Sequence, residues 1–579
     1  MRNANRKFLM ADFETSTSKW LLKEDTARVW LWGLYDIDTD SMEHGIDIDS
    51  FMSRVLTRNQ EVNPVVYFHN LKYDGSYIVQ WLLTHSYTYA EDLNAGTFKT
   101  SITDMGLWYT IEVCIYRKGK TKYIIRFQDS LKKIPLPVRE IPLAFGFKQE
   151  EEKGLIDYDE IRPVGHEPTS VELSYLYHDL HIVARALKIL EAEGFTKMTE
   201  SSDAFFHWKK TLQSEHAIER GIPPEVSFRH LFPKVDLDVD DFIRNAYRGG
   251  WTYLNPKYAN QIITKPVEVW DINSMYPAKM VNRYLPVGDP VHFVGRPKPN
   301  KYQCYIVKVR MVFELKENHL PCIQLKHSYF FNPTDYITSS NFNEVEMTVT
   351  NVDLKLIFAQ YDVLSINYIE GYYFRKIKGL FDKHITENMK IKETSTGGKR
   401  YLAKKRMNTV YGKLATACRS KYKIPYLDEN GVLRFKFSEE QIKDPQYTAE
   451  GCFITAWARR DIITDAQKNY DKFIYCDTDS LHLLANEDGT EPDLPIHDTH
   501  LGYYKKEHSV VKSTFLRSKT YIEQYPNGDI EIKCAGASPE VKKNMNFDNF
   551  HIGAVFEGKL MPSQVKGGCV LEKTFFTIN

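Results

Sequence analysis

The chain has 579 residues, which predicts three or four domains at about 100–200 residues each. Its 42% hydrophobic and 26% charged residues are near globular averages and exclude a disordered or collagenous chain, and no apolar run approaches the ~18 residues of a membrane span. The 76 Lys and Arg balance 76 Asp and Glu, so the protein is not uniformly basic. The eight cysteines form no C-x-x-C pair, so we expect neither a zinc site nor a disulfide framework.

Strand and helix signals alternate through the first third of the chain. The predicted strands are Lys7–Phe13, Arg28–Tyr35, Val65–Phe68, Leu107–Tyr116 and Tyr123–Phe127. A long helix begins with a capping box at Thr169–Glu172 and ends at Gly194. The pattern loosens over residues 195–225, which predicts a boundary, and a larger α+β region follows.

Four carboxylates lie at the ends of these N-terminal elements. Asp12 and Glu14 close the first strand two residues apart, so they point to the same face. Asp74 follows the strand Val65–Phe68, and Asp179 follows Tyr175 by four residues on the long helix, so those two side chains are neighbours. Each acid alone is more simply a cap or a surface group. Together they fit a two-metal phosphodiester hydrolase, which needs hard oxygen ligands and a positioned water.

A second set of acids lies in the C-terminal part of the chain. The strand Val267–Asp271 delivers Asp271 at its end. The apolar runs Phe473–Cys476 and Leu481–Leu484 predict a hairpin with Asp477 and Asp479 at its tip. A polar turn is the simpler interpretation, but buried flanks make two acids costly unless a cation pairs with them.

A cationic strip lies between these acids. Residues 390–423 hold eleven Lys and Arg and a single acid, Glu393. If 399–414 is a helix, Arg400, Lys404, Asn408 and Tyr411 fall within about an 80° arc, beside a separate apolar stripe. Cations suit a triphosphate and an aromatic ring suits a base, although a solvated helix face is the alternative and the strip alone leaves the choice open.

The order of the N-terminal motifs resembles the three exonuclease motifs of proofreading DNA polymerases: Asp12 with Glu14, Asn70 with Asp74, and Tyr175 with Asp179. The resemblance implies that Asp12, Glu14, Asp74 and Asp179 bind metals and that Tyr175 orients the attacking water. Ser130-Leu131 and Lys153–Ile156 are similar to two motifs of the protein-primed branch, which imply a catalytic supporting role for Lys153. The implied contacts with single-stranded DNA are Thr15, His69, Asn70, Tyr73, Ser130 and Leu131.

The C-terminal motifs resemble those of family B DNA polymerases in their order. They are Asp271–Pro277, Lys404–Gly412, Thr455–Arg459, Tyr475–Ser480 and Lys519–Tyr521, and Tyr247–Gly250 is similar to the motif that coordinates the two activities. The motifs span nearly the whole chain and are most similar to the protein-primed family B polymerases of small bacteriophages, the phi-twenty-nine-like group. Met275 and Thr409 depart from the usual Leu and Ser, for which we expect modest effects on nucleotide handling.

This resemblance assigns roles to the C-terminal residues. Asp271 and Asp479 are the implied metal ligands, with Asp477 a supporting acid. Tyr276 is the implied steric gate against ribose, and Tyr411 packs on the incoming nucleotide. The other implied nucleotide-binding residues are Lys392, Arg400, Lys404 and Asn408. The implied DNA-binding residues are Tyr247, Arg248, Gly249, Gly250, Thr455, Arg459, Lys519 and Tyr521.

The implied fold is an α+β multidomain chain: an RNase H-like 3′–5′ exonuclease domain, then a right-hand polymerase domain of palm, fingers and thumb with two terminal-protein-region insertions. The expected segments are the exonuclease domain 1–208, palm 209–282, first insertion 283–379, fingers 380–415, second insertion 416–448, palm 449–540 and thumb 541–579. The second insertion contains a hairpin with an Asn-Gly turn signal. The resemblance implies that it encircles the template, while periodicity alone allows a surface hairpin.

The expected cofactor is Mg²⁺, with Mn²⁺ as a substitute, at two ions per active site. The expected partners are a DNA template-primer, dNTPs, a terminal protein whose hydroxyl is the primer, and a single-stranded-DNA-binding protein. We expect a monomer that contacts no membrane, in the cytoplasm of an infected bacterial host.

The predicted function is DNA-directed DNA synthesis with 3′–5′ proofreading, protein-primed initiation and strand displacement. Three alternatives stay open from the sequence: a related polymerase that uses only nucleic-acid primers, a non-catalytic nucleic-acid-binding scaffold, and a plain nuclease. The intact acids count against a scaffold, and a nuclease leaves residues 240–579 without a role.

Overall fold

The computed structural model of the protein describes residues 7–16, 26–57, 63–147, 160, 162–324 and 336–579. In the described chain several sheets are joined by helices. One sheet of eight strands and one of five carry or adjoin the two sets of predicted acids. None of the described helices combines the length and apolar character that crossing a membrane requires.

The N-terminal domain is built on a sheet of eight strands in the order β3-β2-β1-β4-β8-β7-β6-β5. The strands are β1 Phe8–Thr15, β2 Val29–Asp36, β3 Ser41–Gly45, β4 Val65–Phe68, β5 Thr88–Tyr89, β6 Thr97–Ile102, β7 Trp108–Lys118 and β8 Thr121–Asp129. The helices are α1 Ile48–Leu56, α2 Leu71–Thr84, α3 Ile141–Phe145 and α4 Ser170–Ala192. Every residue of β2 is buried, because α1 and α4 contact it. The five predicted strands and the long helix are confirmed, and the predicted capping box is present, with Thr169 and Glu172 bonded reciprocally.

Short helices follow where the sequence pattern loosened. They are α5 Glu200–Thr211, α6 Glu215–Glu219, α7 Pro224–Leu231 and α8 Leu237–Arg244. Trp208 on α5 is fully buried and stacks on Phe381, with ring centroids 4.5 Å apart. This segment is therefore packed core and not a loose connection, which the sequence did not reveal because its apolar residues are few and clustered.

Five strands form the sheet that carries the C-terminal acids, in the order β22-β11-β21-β20-β9. Its strands are β9 Thr252–Leu254, β11 Val267–Ile272, β20 Phe473–Asp477, β21 Ser480–Leu484 and β22 Tyr504–Val510. The helices α9 Met275–Asn282 and α13 Thr448–Lys468 pack together, and the core between α13 and this sheet includes Trp270, Ile462 and Phe473. A second sheet of order β10-β23-β24-β25 comprises β10 Ile262–Ile263, β23 Lys512–Arg517, β24 Thr520–Gln524 and β25 Ile530–Cys534, and is followed by α14 Pro539–Lys543.

The segment between α9 and the cationic strip forms its own sheet, of order β12-β15-β13-β14. It comprises β12 Leu285–Val294, β13 Gln303–Leu315, β14 Val345–Thr350 and β15 Tyr361–Ile377, with α10 Asn351–Gln360. The cationic strip itself is a pair of packed helices, α11 Asp382–Thr394 and α12 Gly397–Leu414. The predicted helix over 399–414 is therefore confirmed.

Two hairpins complete the described chain. The first comprises β17 Lys423–Leu427 and β18 Leu433–Phe437, flanked by the short pair β16 Arg419–Ser420 and β19 Gln441–Ile442. Gly431 has φ +72° in its turn, a conformation that favours glycine, and the predicted hairpin is confirmed. The second, β26 Val555–Val565 and β27 Gly568–Thr577, ends the chain.

Candidate metal centres

The first centre forms where α4 presses against β1 and β2. Gly33 on β2 pairs with Asp12 on β1, and a Cβ at Gly33 would lie 2.6 Å from a methyl carbon of Leu180. The absence of a side chain there lets α4 approach the sheet closely. Tyr175 and Asp179 precede that leucine on α4, and both are buried beside the strand that carries Asp12 and Glu14.

Asp74 on α2 completes this group of acids. Burial raises its pKa well above the usual range, and the nearby charges of Asp12 and Glu14 raise it further. Its Oδ1 atom is buried without a hydrogen-bond partner in the part of the chain that the structure describes. Several buried carboxylates that repel one another, with an oxygen left unbonded, fit a hard divalent cation.

The predicted contacts with single-stranded DNA form a hydrogen-bonded layer beside these acids. The hydroxyls of Thr15 and Tyr73 are 2.6 Å apart. His69 contacts Ser130 Oγ through Nδ1 at 3.0 Å, and the backbone amide of Asn70 donates to the Asp129 carboxylate at 3.0 Å. Ser130 is fully buried, and its hydroxyl donates to the carbonyl of Phe68. Its side chain therefore positions His69 and does not face the surface where a DNA strand would bind.

Two further predicted residues complete the account of this centre. Leu131, which follows Ser130 in a short 3₁₀ helix, is half-buried, so a contact with DNA stays a prediction. Lys153 and its motif lie outside the described residues.

The second centre forms at one end of the five-stranded sheet. Asp271, near the end of β11, pairs with Ser480 of β21, and the backbone amide of Ile272 donates to the carbonyl of Asp479 at 2.9 Å. Thr478 has φ +67°, a left-handed conformation, in the tight turn between Asp477 and Asp479. The hairpin therefore places Asp479 directly beside Asp271.

The carboxylates of this centre also repel one another. Burial raises the pKa of Asp271 to about 7, helped by Asp479 and Glu507 and opposed by Lys505 and Lys404. Burial likewise raises the pKa of Asp479, with added repulsion from Asp477 and Glu507. Lys519 Nζ lies 2.8 Å from Asp477 Oδ1, so Asp477 is already paired, as suits a supporting acid. The remaining acids fit a divalent cation.

Glu507 is a fourth acid of this centre, one that the sequence did not single out. Trp270 pairs with Lys506 and Val269 with His508, so Glu507 is the extra residue of a β-bulge in β22. Bulges redirect side chains and often lie beside active sites. A bulge depends on pairing between distant strands, which is why the local sequence gave no signal for this residue.

The helices α11 and α12 turn three cations toward one another. Arg400 donates to the carbonyl of Lys392 at 2.5 Å. Burial lowers the pKa of Lys392, and the charges of Arg400 and Lys404 lower it further. Three neighbouring cations of this kind suit an anion with several charges, such as a triphosphate. Asn408 instead donates to the carbonyl of Lys404, on its own helix.

Tyr411 connects the cationic helices to the acids. Its ring stacks on that of Tyr276, with centroids 4.5 Å apart and an interplanar angle of 27°. The Tyr276 hydroxyl in turn approaches the turn Tyr247–Gly250, since a Cβ at Gly250 would lie 2.9 Å from it and 2.6 Å from Thr478 Cγ2. The predicted nucleotide-binding tyrosines and the predicted template-binding turn therefore lie around the same carboxylate loop.

Two predicted DNA contacts, Arg459 and Arg248, face inward. Arg459 is only 4% exposed, ion-pairs with Asp353 at 2.7 Å and donates to the carbonyls of Arg248 and Gly249 at 2.7 and 2.8 Å. Arg248 donates to the carbonyl of Thr348 at 3.0 Å. These guanidinium groups hold the turn in place through contacts within the protein, and their predicted contacts with DNA stay predictions.

Thr455 and Tyr521 are buried as well. Thr455 donates back to its own helix, at the carbonyl of Gly451, and Tyr521 packs its ring on Tyr475 and Phe515. Their burial does not support the predicted contacts with DNA. By contrast Lys519, whose side chain is 58% exposed, remains able to reach a bound strand.

The two groups of acids, the cationic helix pair and the five-stranded sheet together have the features of a nucleic-acid polymerase. The chain matches the model of DNA polymerase type B, organellar and viral, over residues 56–493, and it belongs to that family. It is 40% identical to the DNA polymerase of Bacillus phage M2, over 99% of this chain and 100% of the relative. The DNA polymerase of Bacillus phage phi29 is 39% identical over the full length of both chains, and that of Streptococcus phage Cp-1 is 33% identical over 99% and 98%.

Solved structures agree. The chain resembles phi29 DNA polymerase complexed with primer-template DNA and incoming nucleotide substrates, with a TM-score of 0.91, 38% identity and coverage of 99% of this chain and 100% of that one. It resembles phi29 DNA polymerase complexed with single-stranded DNA with a TM-score of 0.89 and 37% identity, over 99% and 100% of the two chains. The predicted membership of the phi29-like phage polymerases is confirmed.

Proposed function

We propose that this polymerase copies DNA from a template, proofreads with a separate 3′–5′ exonuclease, and starts from a terminal-protein hydroxyl before it elongates with strand displacement. The observation that carries the proposal is the presence of two independent groups of buried, mutually repelling carboxylates on two different sheets. The segments are those expected from the sequence, with the exonuclease domain at 1–208 and the polymerase domain at 209–579.

At the polymerase centre Asp271 and Asp479 would hold the metal ions, and two Mg²⁺ ions, or Mn²⁺ in their place, supply activation of the nucleophile and neutralisation of phosphate charge. The 3′-hydroxyl of the primer attacks the α-phosphate and pyrophosphate leaves. Lys392, Arg400 and Lys404 bind the triphosphate, and their positive charges stabilise the leaving group. Stacked on Tyr411, the ring of Tyr276 limits the space beside the sugar.

At the exonuclease centre Asp12, Glu14, Asp74 and Asp179 would hold the ions, and Tyr175 positions the water that attacks the terminal phosphodiester. The layer that contains Thr15, Tyr73 and His69 would grip the frayed 3′ end. Aromatic rings and short polar side chains suit this task because they bind single strands by stacking and hydrogen bonding without regard to sequence.

The sheet β12–β15 is the proposed docking site for the terminal protein. Several of its apolar side chains are solvent-exposed, including Val291, Val294 and Tyr302. Exposed apolar side chains of this kind suit contact with another protein. A single-stranded-DNA-binding protein would protect the displaced strand, and the setting would be the cytoplasm of an infected bacterium.

The two centres should be separable by mutation. We expect Asp12→Ala with Asp74→Ala to abolish degradation of a 3′-labelled single strand and to spare primer extension, and Asp479→Ala to do the reverse. Asp488→Ala, at an exposed loop acid, is the matched control. Loss of both activities in a folded single-centre variant would contradict the assignment.

Protein priming needs its own test, because a related polymerase could use nucleic-acid primers alone. Incubation with the terminal protein of the same phage, Mg²⁺ and a labelled dNTP should yield a covalent nucleotide–protein adduct. An active polymerase that extends a DNA primer but forms no adduct would support the alternative.

A further inference from the structure

One buried charged cluster lies outside both centres. Glu523 on β24 and His482 on β21 are each 1% exposed, and His482 Nδ1 lies 2.9 Å from Glu523 Oε1. The other carboxylate oxygen, Oε2, is 3.7 Å from His508 Nε2 on β22. A single carboxylate from one sheet therefore faces two imidazoles that belong to two strands of the other sheet.

The strand register shows what this cluster spans. Val269 on β11 pairs with His482 on one side and with His508 on the other. Val269 and Asp271 are two residues apart in the same strand, so they lie on the same face of the sheet. The carboxylate of Glu523 thus joins the two strands that flank β11 at a level two residues from Asp271. His482 itself comes three residues after Asp479.

The surroundings make this contact costly to lose. The His482 ring lies 5.3 Å from the rings of Tyr475 and Tyr521 and 5.4 Å from that of Phe515, all measured between centroids. Burial in such an apolar setting would raise the pKa of Glu523, but His482 and His508 outweigh it and lower the pKa to about 2. The carboxylate is thus charged, and a buried charge must keep its partners.

Strand β24 also connects the cluster to the primer side of the site. Tyr521 lies two residues before Glu523 and shares its face of the strand. Lys519, which immediately precedes β24, pairs with Asp477 at 2.8 Å. The same strand is therefore tied to the catalytic sheet at two places, by Lys519 at the carboxylate turn and by Glu523 beneath it.

We infer that Glu523 is a positioning residue for the polymerase reaction: it clamps β21 and β22 across β11 and thereby fixes Asp271 and Asp479 relative to each other and to β24. It touches neither substrate nor the reacting atoms. Its effect on rate comes from geometry, since a displacement of about 1 Å at a reacting group can cost about 10²-fold in rate.

The test compares two substitutions of similar size. Glu523→Gln can still accept from His482 and can donate to a neutral His508, whereas Glu523→Leu can do neither. We expect Glu523→Leu to lower the maximal rate of single-nucleotide incorporation by about 10- to 100-fold and to raise the Mg²⁺ concentration needed for half-activation, as loss of supporting hydrogen bonds does at metal sites. Glu523→Gln should retain most of the rate, and the KM for dNTP should change little in either variant.

His508→Leu provides a milder second variant, because this half-buried histidine supplies only one arm of the clamp. It should lower the rate in the same direction by a smaller factor. Melting temperature and single-strand degradation by the N-terminal centre report on folding. If Glu523→Leu is too unstable to assay, the inference depends on His508→Leu: a wild-type rate and Mg²⁺ requirement in that variant overturn it.

Glu531 supplies the matched control. Glu531 is near the same cluster, but its carboxylate accepts from Tyr525 at 2.5 Å and pairs with Lys533, both outside the catalytic sheet. Glu531→Gln should therefore leave the rate unchanged. His508, Glu523 and Glu531 could alternatively hold a metal ion together. A zinc ion in the purified protein that Glu531→Gln removes together with polymerase activity would overturn the clamp, as would an equal loss of polymerase and nuclease rates in Glu523→Leu.

Discussion

Gly250 is the residue at which the turn Tyr247–Gly250 touches the carboxylate loop. A Cβ at this position would lie 2.6 Å from Thr478 Cγ2 and 2.9 Å from the Tyr276 hydroxyl. Real Cβ contacts are essentially never so short, so any larger residue must displace the side chain of Thr478, which lies between Asp477 and Asp479, and that of Tyr276. Gly249, its neighbour in the chain, has open space at the same atom. The space around Gly250 therefore excludes a side chain, whereas the space around Gly249 accommodates one.

Gly250→Ala should lower the rate of nucleotide incorporation by about 10²-fold, because the acids next to Thr478 would move from their working positions. Gly249→Ala should stay near the wild-type rate. Single-turnover extension of a primer at saturating dNTP measures both variants. Equal rates in the two would show that the close approach at Gly250 has no part in the chemistry.

Glu450 is an acidic group that is buried without a compensating charge. It is fully buried on α13, and neither carboxylate oxygen has a hydrogen-bond partner in the described part of the chain. Burial alone raises its pKa well above the usual range. Because the folded state holds this proton more tightly than the unfolded chain, stability falls as pH rises above about 4.3 and continues to fall up to the raised pKa.

Glu450→Met should therefore stabilise the protein more at pH 8 than at pH 5, because the Met side chain has no proton to lose as pH rises. Denaturant unfolding at pH 5 and pH 8 measures the difference. Glu439→Met, at an exposed position, is the matched control and should change neither value much. A variant at 450 with the wild-type pH dependence of stability would contradict this account.

At the scale of elements, the hairpin β17–β18 is fixed to the N-terminal domain along its length. Gln80 donates to the carbonyl of Gly431 at 2.7 Å, and the amide of Asp104 donates to the carbonyl of Lys421 at 3.1 Å. Leu433 is fully buried within the apolar core of that domain. An ornamental surface hairpin would have none of these contacts, so its placement supports a working role near the template.

Replacing residues 421–438 by a short Gly-Ser linker should leave incorporation of one nucleotide near wild type and should shorten the products of a single binding event. The physical reason is that the acids lie on another sheet, while the hairpin adds a wall beside the bound duplex. Primer extension in the presence of a DNA trap measures both quantities. Gln80→Ala, which removes one anchor, should give a smaller effect in the same direction. Full-length products from the linker variant would refute this role.

The elements that the sequence predicted best are those with local causes. The capping box at Thr169, the apolar strand Val65–Phe68 and the Asn-Gly hairpin were each readable because neighbouring residues determine them. Glu507 was not singled out, and the ion pair of Arg459 was not foreseen, because their surroundings come from distant segments. A bulge between strands brings Glu507 toward the acids, and Asp353 of the inserted sheet encloses Arg459. The clustered aromatic core around Trp208 has no regular period and was missed for a similar reason.

At the scale of the whole molecule, three distant segments meet at Lys566 in the C-terminal hairpin. Lys566 forms a bridge with Thr26 on one side and with Val432 of the hairpin β17–β18 on the other, and its carbonyl accepts from the amide of Ala27 at 2.9 Å. The N-terminal domain, the hairpin β17–β18 and the C-terminal hairpin thus form a closed circuit with the part of the chain that links them. The net charge is zero, so enclosure of DNA would supplement the local cationic strip as a means of retention.

A disulfide across this junction should lock the circuit. Val432 and Lys566 are antiparallel bridge partners, whose Cα atoms lie about 4.5–5.5 Å apart, within the range that a disulfide spans. All natural cysteines are free, and most are buried, so they should not compete. After oxidation on primed circular DNA, Val432→Cys with Lys566→Cys should remain bound at a salt concentration that screens ionic contacts, and it should slide off a linear template. Val432→Cys alone is the control, and it should dissociate from both circular and linear DNA at that salt concentration. Equal release from circular and linear DNA by the oxidised protein would show that the circuit does not surround the duplex.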